Sequence, residues 1–227
     1  MTKRSLLPAL KVLCATAVLV LSGTAAAKDA PEEWDGLQPT KVKGIQKAYV
    51  RPDADLSRYD KVILDPVVVS FAKNWKPDRP GSFREISEQD RETIKRKIGE
   101  LAEQTFTETL SRNDGYPVVS QPGPDVMRVT AELTDVYINA PDTDEPGRID
   151  TYTKGAGRMT LVAELRDSET GALFARVVDK VEKDSDIWRY ANSVQNTQEA
   201  RLAVQEWAGI LRKRLDAVHE AAGPKSP

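Results

Sequence analysis

Two stretches in which apolar and polar residues alternate constrain the fold more than any other feature of this 227-residue chain. They are Val126–Asn139 and Gly157–Leu165. Such alternation is typical of β-strands that bury one face and leave the other to solvent. The short connection Asp167–Gly171 leads from the second stretch into Ala172–Val181 and predicts an antiparallel hairpin. In the first stretch the apolar positions change phase before Val136, which predicts a β-bulge.

Two segments with helical periodicity can cover the apolar face of that sheet. The first begins at Ser87, where Asp90 completes a capping-box pattern, and ends at Asn113-Asp114-Gly115. The second begins near Asn196 and carries an apolar stripe at helical spacing. The stripe consists of Ala200, Val204, Trp207, Leu211, Leu215 and Val218. Each helix is therefore expected to pack through one face.

A mostly apolar run rich in β-branched residues, Lys61–Phe71, indicates a further strand that is buried on both faces. Pro66 lies inside it and cannot donate a hydrogen bond to a neighbouring strand, so we expect a bulge or break there. The predicted fold class is α+β, or mixed α/β: one mostly antiparallel sheet with two long helices packed on one face.

The chain divides by composition into four parts. We predict a signal peptide over residues 1–27, an extended N-terminal arm over 28–47, a single globular domain over 48–222 and a disordered tail over 223–227. The arm is rich in Pro, Gly and charge around Trp34, and either Trp34 or Leu37 could fasten it to the domain.

Residues 1–27 have the organisation of an export signal. An apolar stretch, Val12–Leu21, is shorter than the roughly 20 apolar residues that a membrane-spanning helix needs. Ala25-Ala26-Ala27 offers the small residues that a signal peptidase requires, so we expect cleavage between Ala27 and Lys28. The basic residues of the segment are Lys3, Arg4 and Lys11.

Cys14 raises the alternative of lipidation, since bacterial lipoproteins carry their lipid on a cysteine. Leu13 stands where that processing needs a small residue, and Lys11 places a charge where none is accepted. We therefore expect Cys14 to be an ordinary apolar residue of the signal. Membrane association would occur only through lipid at Cys14.

Removal of residues 1–27 takes away three of the 33 basic residues and none of the 35 acidic ones, which leaves a net charge near −5. A net negative charge gives no electrostatic basis for nucleic-acid binding. The mature chain would also lack cysteine, because Cys14 is the only one. Thiol chemistry and disulfides are thereby excluded, and the core has to stabilise the fold.

Several polar groups have a catalytic and a plainer interpretation. Asp65, Glu132 and Glu164 lie in strand patterns and could supply the acid and base of a glycosidase, but their separation decides the mechanism. We interpret the single histidine, His219, as a structural residue near the end of a helix, where it could interact with the negative end of the helix dipole. Asp142–Gly147 has part of the calcium-loop pattern yet lacks the final glutamate. We assign no catalytic residue, metal ligand or cofactor.

Aromatic residues offer the remaining lead. Trp75, and Trp188 with Tyr190, fall in segments predicted as loops. Exposed aromatic side chains in loops can stack on sugars or anchor a partner, whereas buried ones hold a loop to the core. Both alternatives stay open, with Trp75, Trp188 and Tyr190 as the candidate partner-binding residues.

Five sequence blocks follow one another along the chain. They are Ala48–Leu56, Tyr59–Val67 with Trp75, Gly123–Val126, Asn139–Thr143, and Leu161–Asp167 with Thr170–Leu173. Together these blocks resemble the bacterial family called domain of unknown function 3313, and the resemblance covers about Trp34 to Trp207. It implies an exported protein, since family members are exported and many are classed as lipoproteins, and it implies no activity.

The sequence thus predicts a non-enzymatic periplasmic or envelope-associated protein that binds another envelope component. Two alternatives remain. One is an exported carboxylate-dependent hydrolase acting on a glycan; the other is a carrier of a small ligand, which would need an apolar pocket.

Overall fold

A computed structural model describes residues 35–76, 86–138, 151–191 and 193–223, with backbone only for 151–156 and 183–195. These residues form seven strands and two helices within one compact unit, Glu32–Pro227. The strands are β1 (Gln38–Thr40), β2 (Lys47–Val50), β3 (Lys61–Leu64), β4 (Val68–Phe71), β5 (Val126–Tyr137), β6 (Thr151–Asp167) and β7 (Leu173–Ala191). The helices are α1 (Glu88–Ser111) and α2 (Ser193–Ala222). The signal segment with Cys14, Ala27 and Lys28, the loop Asp142–Gly147 and residues 224–227 lie outside the described residues.

The strands form one sheet in the order β1-β2-β7-β6-β5-β3, and β4 also pairs with β5. The four pairings from β1 to β5 are antiparallel, while β3 and β4 run parallel to β5. The predicted α+β class with a mostly antiparallel sheet is therefore confirmed. The predicted hairpin is β6–β7, and both of its strands are longer than the sequence pattern indicated.

The alternation in β5 has the predicted consequence. Met127, Val129 and Leu133 are at most 1% exposed and face the helices, as do their partners on β6. The pairing shifts after Thr134, where Asp135 adopts a positive φ of 51°. Such a bulge inserts one residue and restores the apolar face at Val136.

The run Lys61–Phe71 divides at Pro66, as predicted, into β3 and β4. Val62 and Ile63 are both buried, so β3 is covered on both faces. The prediction of burial on both faces is wrong for β4, because Val68 is 59% exposed. The next residue, Val69, is 9% exposed, so β4 buries one face and leaves the other to solvent.

Both helices pack on the same face of the sheet and on each other. Ser87 and Asp90 form the predicted capping box of α1. Asn113 and Asp114 have positive φ angles of 52° and 53°, as expected at a helix end. The second helix begins at Ser193, three residues before the predicted start. The buried residues of the two helices that join the main core are Ala102, Phe106, Leu110, Ala203, Val204, Trp207, Ala208 and Leu215.

The described part of the N-terminal arm contributes to the sheet. Leu37 is fully buried against Tyr49 and Leu173, and β1 adds three residues to the edge of β2. The arm is thus fastened to the body by Leu37, one of the two residues that the sequence offered.

Candidate functional site

A cleft of about 370 Å³ lies between α1, α2 and the end of the sheet. Its apolar lining comes from all three walls, so the cleft has a hydrophobic interior. The apolar residues are Ile94, Ile98 and Leu101 on α1, Val136 and Ile138 at the end of β5, Met159 on β6, Val181 on β7 and Ala200 on α2. We refer to this recess as the interhelical cleft.

The two ends of the helix pair differ in what their side chains contact. Toward the C-terminal ends, Phe106 and Trp207 lie in the core, and Arg212 of α2 donates to the carbonyl oxygens of Thr109 and Leu110. Toward the N-terminal ends, Leu101 and Ala200 line the cleft.

The bulge in β5 shapes the floor of the cleft. Beyond Asp135, the residues Val136 and Ile138 lie in the lining. Arg158 on β6 holds this end of β5 in place: its Nε lies 2.9 Å from Asp135 Oδ2, and its guanidinium stacks 4.8 Å from the Tyr137 ring centre. The hydrogen bond to Asp135 raises the pKa of Arg158, so its charge is permanent.

Polar residues on the two helices border the cleft and carry charges of both signs. On α1, Glu100 accepts a hydrogen bond of 2.9 Å from Arg96, and Gln104 donates one of 2.7 Å to Glu108. The bordering residues are Lys97, Glu100 and Gln104 on α1 and Asn196, Thr197 and Glu199 on α2. A ligand in the cleft would therefore have an apolar interior and polar groups at its edge.

In the structure Trp75 is buried and holds its segment to the core, which is the second of the two interpretations that the sequence left open. Its side chain is 3% exposed, stacks on Phe71 at 3.8 Å, and donates from Nε1 to the carbonyl oxygen of Ile138 at 2.9 Å. The Arg91 guanidinium lies 4.9 Å from the centre of its ring. Trp75 thus fastens the segment after β4 beside the cleft and offers no exposed surface to a partner.

The prediction that Trp188 and Tyr190 lie in a loop is wrong, because both belong to β7. Tyr190 pairs with Tyr152 of β6, and the ladder shifts between the pairs Thr153–Arg189 and Gly155–Asp184. Pairing with β6 keeps this part of the chain extended. Partner binding through these two residues stays a prediction.

The three candidate carboxylates do not line the cleft. They lie toward the other face of the sheet, where Asp65 accepts hydrogen bonds of 3.0 Å from Arg128 and Glu132 is exposed. Glu164 accepts from Arg176 at 2.7 Å and from Arg166 at 2.7 Å. Burial would raise the pKa of Glu164, but these two arginines outweigh it and lower the pKa, which is the opposite of what a general acid needs.

His219 lies near the end of α2, where its Nδ1 is 2.8 Å from the carbonyl oxygen of Leu215 and 3.2 Å from the hydroxyl of Tyr116. Burial, followed by the hydrogen bond to Asp216, raises the pKa of Tyr116.

Among the described residues, no group of three His, Cys, Asp or Glu side chains is placed to hold a metal ion. Within the same residues, neither helix is long and apolar enough to cross a membrane.

Sequence reasoning did not find the cleft. Ile94, Ile98 and Leu101 follow the ordinary spacing of a packed helix face, so the sequence does not distinguish them from core residues. The bulge after Leu133 was the local signal that this end of the sheet departs from regular packing. Which parts of a helix face stay uncovered depends on the neighbouring helix, which the pattern does not specify.

The fold and cleft define an α+β protein with two parallel-running helices over a seven-stranded sheet and a recess between them. The chain belongs to the family described as protein of unknown function (DUF3313), whose model matches residues 26–211. The resemblance found in the sequence is thereby confirmed.

Solved structures with a similar chain course have low sequence identity. A DUF330 protein from Xanthomonas campestris is 11% identical with a TM-score of 0.43, over 73% of this chain and 89% of that chain. PelC from Paraburkholderia phytofirmans, solved as a dodecamer, is 16% identical with a TM-score of 0.35, over 78% of this chain and 96% of that chain. No curated protein matches the sequence significantly.

Proposed function

We propose that this protein is a non-enzymatic binding protein, exported to the periplasm or envelope, and that the interhelical cleft holds the apolar part of its ligand. The observation that carries the proposal is the cleft of about 370 Å³ with a largely apolar lining. Ligand sites are typically recesses of about 300–1,000 Å³ with apolar walls and a few polar groups that orient the ligand. The export signal predicted over residues 1–27 supports the proposed location.

The residue types at the cleft favour binding over catalysis. Among the described lining residues there is no cysteine, histidine, serine or aspartate. Glu100, one of the two carboxylates at the border, is bonded to Arg96 on the outer surface of α1. An acid and base pair facing a bound substrate would support the hydrolase alternative, and Asp65, Glu132 and Glu164 lie elsewhere.

The proposal is tested with N-phenyl-1-naphthylamine, an uncharged apolar probe that fluoresces when it leaves water. Purified mature protein is expected to bind it saturably. In the variant Ala200→Phe the added ring occupies the cleft, so affinity should fall at least about tenfold, which corresponds to roughly 1.4 kcal/mol.

The matched control is Ala217→Phe, which adds the same ring to an exposed position of α2. It should bind the probe as the unchanged protein does. Thermal unfolding of both variants checks that they fold. Absence of saturable binding, or equal binding by the two variants, would overturn the proposal.

A further inference from the structure

We infer that the ligand of the interhelical cleft is a single-chain amphiphile that enters as a monomer, such as a free fatty acid or a fatty alcohol, and that its alkyl chain determines affinity. The inference rests on the proposed function, because it specifies the ligand of the same cleft. Three features of the cleft support it: its shape, its size and the polarity of its border.

The shape is set by a row of side chains along α1. Ile94, Ile98 and Leu101 follow one another at intervals of four and three residues, so they lie on one face of the helix. At 1.5 Å per residue the row runs about 10 Å along the helix axis. Apolar residues of the sheet end lie in the opposite wall, Val136 and Met159 among them. An elongated apolar recess suits an extended alkyl chain.

The size of the cleft suits a small molecule. Its volume of about 370 Å³ lies toward the lower end of the range of about 300–1,000 Å³ that is typical of small-molecule sites. An extended alkyl chain is narrow and carries no side chains, so it can occupy a recess of this volume.

The border of the cleft is polar, which argues against docking on a bilayer or on an apolar protein surface. Within the described residues, the large apolar side chains with high exposure are Val68 and Leu202, and neither lines the cleft. Membrane and protein docking sites use contiguous exposed apolar patches. The ligand must therefore arrive as a separate molecule.

The charges at the border predict weak discrimination between head groups. Lys97 and Arg158 are positive and Glu100 and Glu199 are negative, so neither sign dominates. Arg158 is already bonded to Asp135. Chain length should consequently change affinity more than the charge of the head group does.

The experiment is a direct calorimetric titration of the mature protein with dodecanoate and dodecanol below their aggregation concentrations, and with octanoate and octanol. Both twelve-carbon compounds should bind with affinities within about fivefold of each other. Each should bind at least about tenfold more tightly than its eight-carbon counterpart, because every further buried methylene group makes binding more favourable. Binding should become more exothermic as temperature rises, the sign of apolar burial. Ala200→Phe should weaken binding at least about tenfold, and Ala217→Phe should leave it unchanged.

Displacement of N-phenyl-1-naphthylamine separates the inference from the proposed function. If the probe binds and neither monomeric compound displaces it, the inference fails while the cleft remains a binding site. If phosphatidylcholine vesicles or an amphipathic helical peptide displace the probe and the monomers do not, the occupant is a bilayer or a protein and the inference is overturned. If neither probe nor monomer binds, both proposals fail.

Discussion

Arg212 on α2 donates a hydrogen bond to the carbonyl oxygen of Leu110, 3.2 Å away in the last turn of α1. The same guanidinium reaches the carbonyl oxygens of Thr109 at 3.3 Å and Asn113 at 3.4 Å. The last turn of α1 has no basic residue of its own. Carbonyl groups at a helix end lack partners within the helix and carry partial negative charge. The second helix therefore supplies the cap of the first, at the end opposite the cleft.

Replacement of this cap should weaken the packing of the two helices. Arg212→Ala is expected to lower the free energy of unfolding by about 1–3 kcal/mol, since charge-assisted hydrogen bonds to buried carbonyls are lost. Arg212→Lys should retain part of the effect, because an ammonium cannot reach several carbonyls at once. Urea unfolding measures both. The control is Arg214→Ala, at an exposed position of the same helix, which should lower the free energy of unfolding by less than about 0.5 kcal/mol. Equal losses of stability for Arg212→Ala and Arg214→Ala would refute the capping role.

Asp179 is a buried carboxylate that connects α2 to the sheet. It accepts hydrogen bonds from Trp207 Nε1 at 2.8 Å and from the backbone N–H of Gln46 at 2.9 Å. Asp179→Ala leaves both donors unsatisfied and should cost about 2–4 kcal/mol. Asp179→Asn keeps one acceptor oxygen and should cost less. Chemical unfolding followed by tryptophan fluorescence measures the difference, and an alanine variant as stable as the asparagine variant would contradict this account.

Asp167 should make stability depend on pH. Its pKa lies well below the usual value, first because Tyr59 donates a hydrogen bond of 2.6 Å and then because the Thr170 backbone N–H donates one of 2.7 Å. The pKa of Asp167 is thus lower in the folded state than in the unfolded state, where it is about 3.9. The stability that results is fully present above about pH 3.9 and is lost as the pH falls from there toward the folded-state pKa.

The variant Asp167→Asn removes that pH-dependent contribution. Unfolding free energies of the parent protein and the variant should be compared at pH 7, 4.5 and 3. The parent protein should be the more stable of the two at pH 7, and its advantage over the variant should shrink toward pH 3. A difference that stays constant over this range would show that Asp167 acts through packing alone.

Replacement of glycine by alanine should have opposite effects on stability at two helical positions. At Gly209 on α2 an added Cβ meets no atom within 4 Å, so Gly209→Ala should stabilise the protein by about 0.5–1 kcal/mol through helix propensity. At Gly99 on α1 the added Cβ would lie 3.0 Å from the carbonyl oxygen of Val67. Gly99→Ala should therefore destabilise the contact between α1 and β4. Thermal unfolding of both variants checks the signs; stabilisation at both positions would be inconsistent with the close approach at Gly99.

Mass spectrometry of the protein purified from an expressing bacterium tests the N-terminus. We expect a mature chain that begins at Lys28 and carries no lipid. Cys14→Ser should leave its mass and location unchanged, because Cys14 lies in the removed segment. A product that begins at a lipidated Cys14, or an uncleaved membrane-bound chain, would show the prediction to be wrong.

Local patterns determined much of the fold. The alternation around Val129 and the capping pair Ser87 and Asp90 depend on residues close in sequence, and the structure has the strands and the helix start that they predict. The break at Pro66 follows from its missing donor group. Boundaries were less accurate where distant pairing extends an element, as β6 extends β7 through Tyr190.

Tertiary structure alone decided where the chain has a recess and which aromatic residues are buried. Trp75 follows a strand in a short irregular segment, and only the approach of Ile138 and Phe71 buries its ring. Leu101 and Ala200 belong to regular helical stripes, yet they line the cleft. Sequence periodicity specifies which face of a helix is apolar. How closely two such faces approach depends on contacts between residues far apart in the chain, such as Arg212 and Leu110.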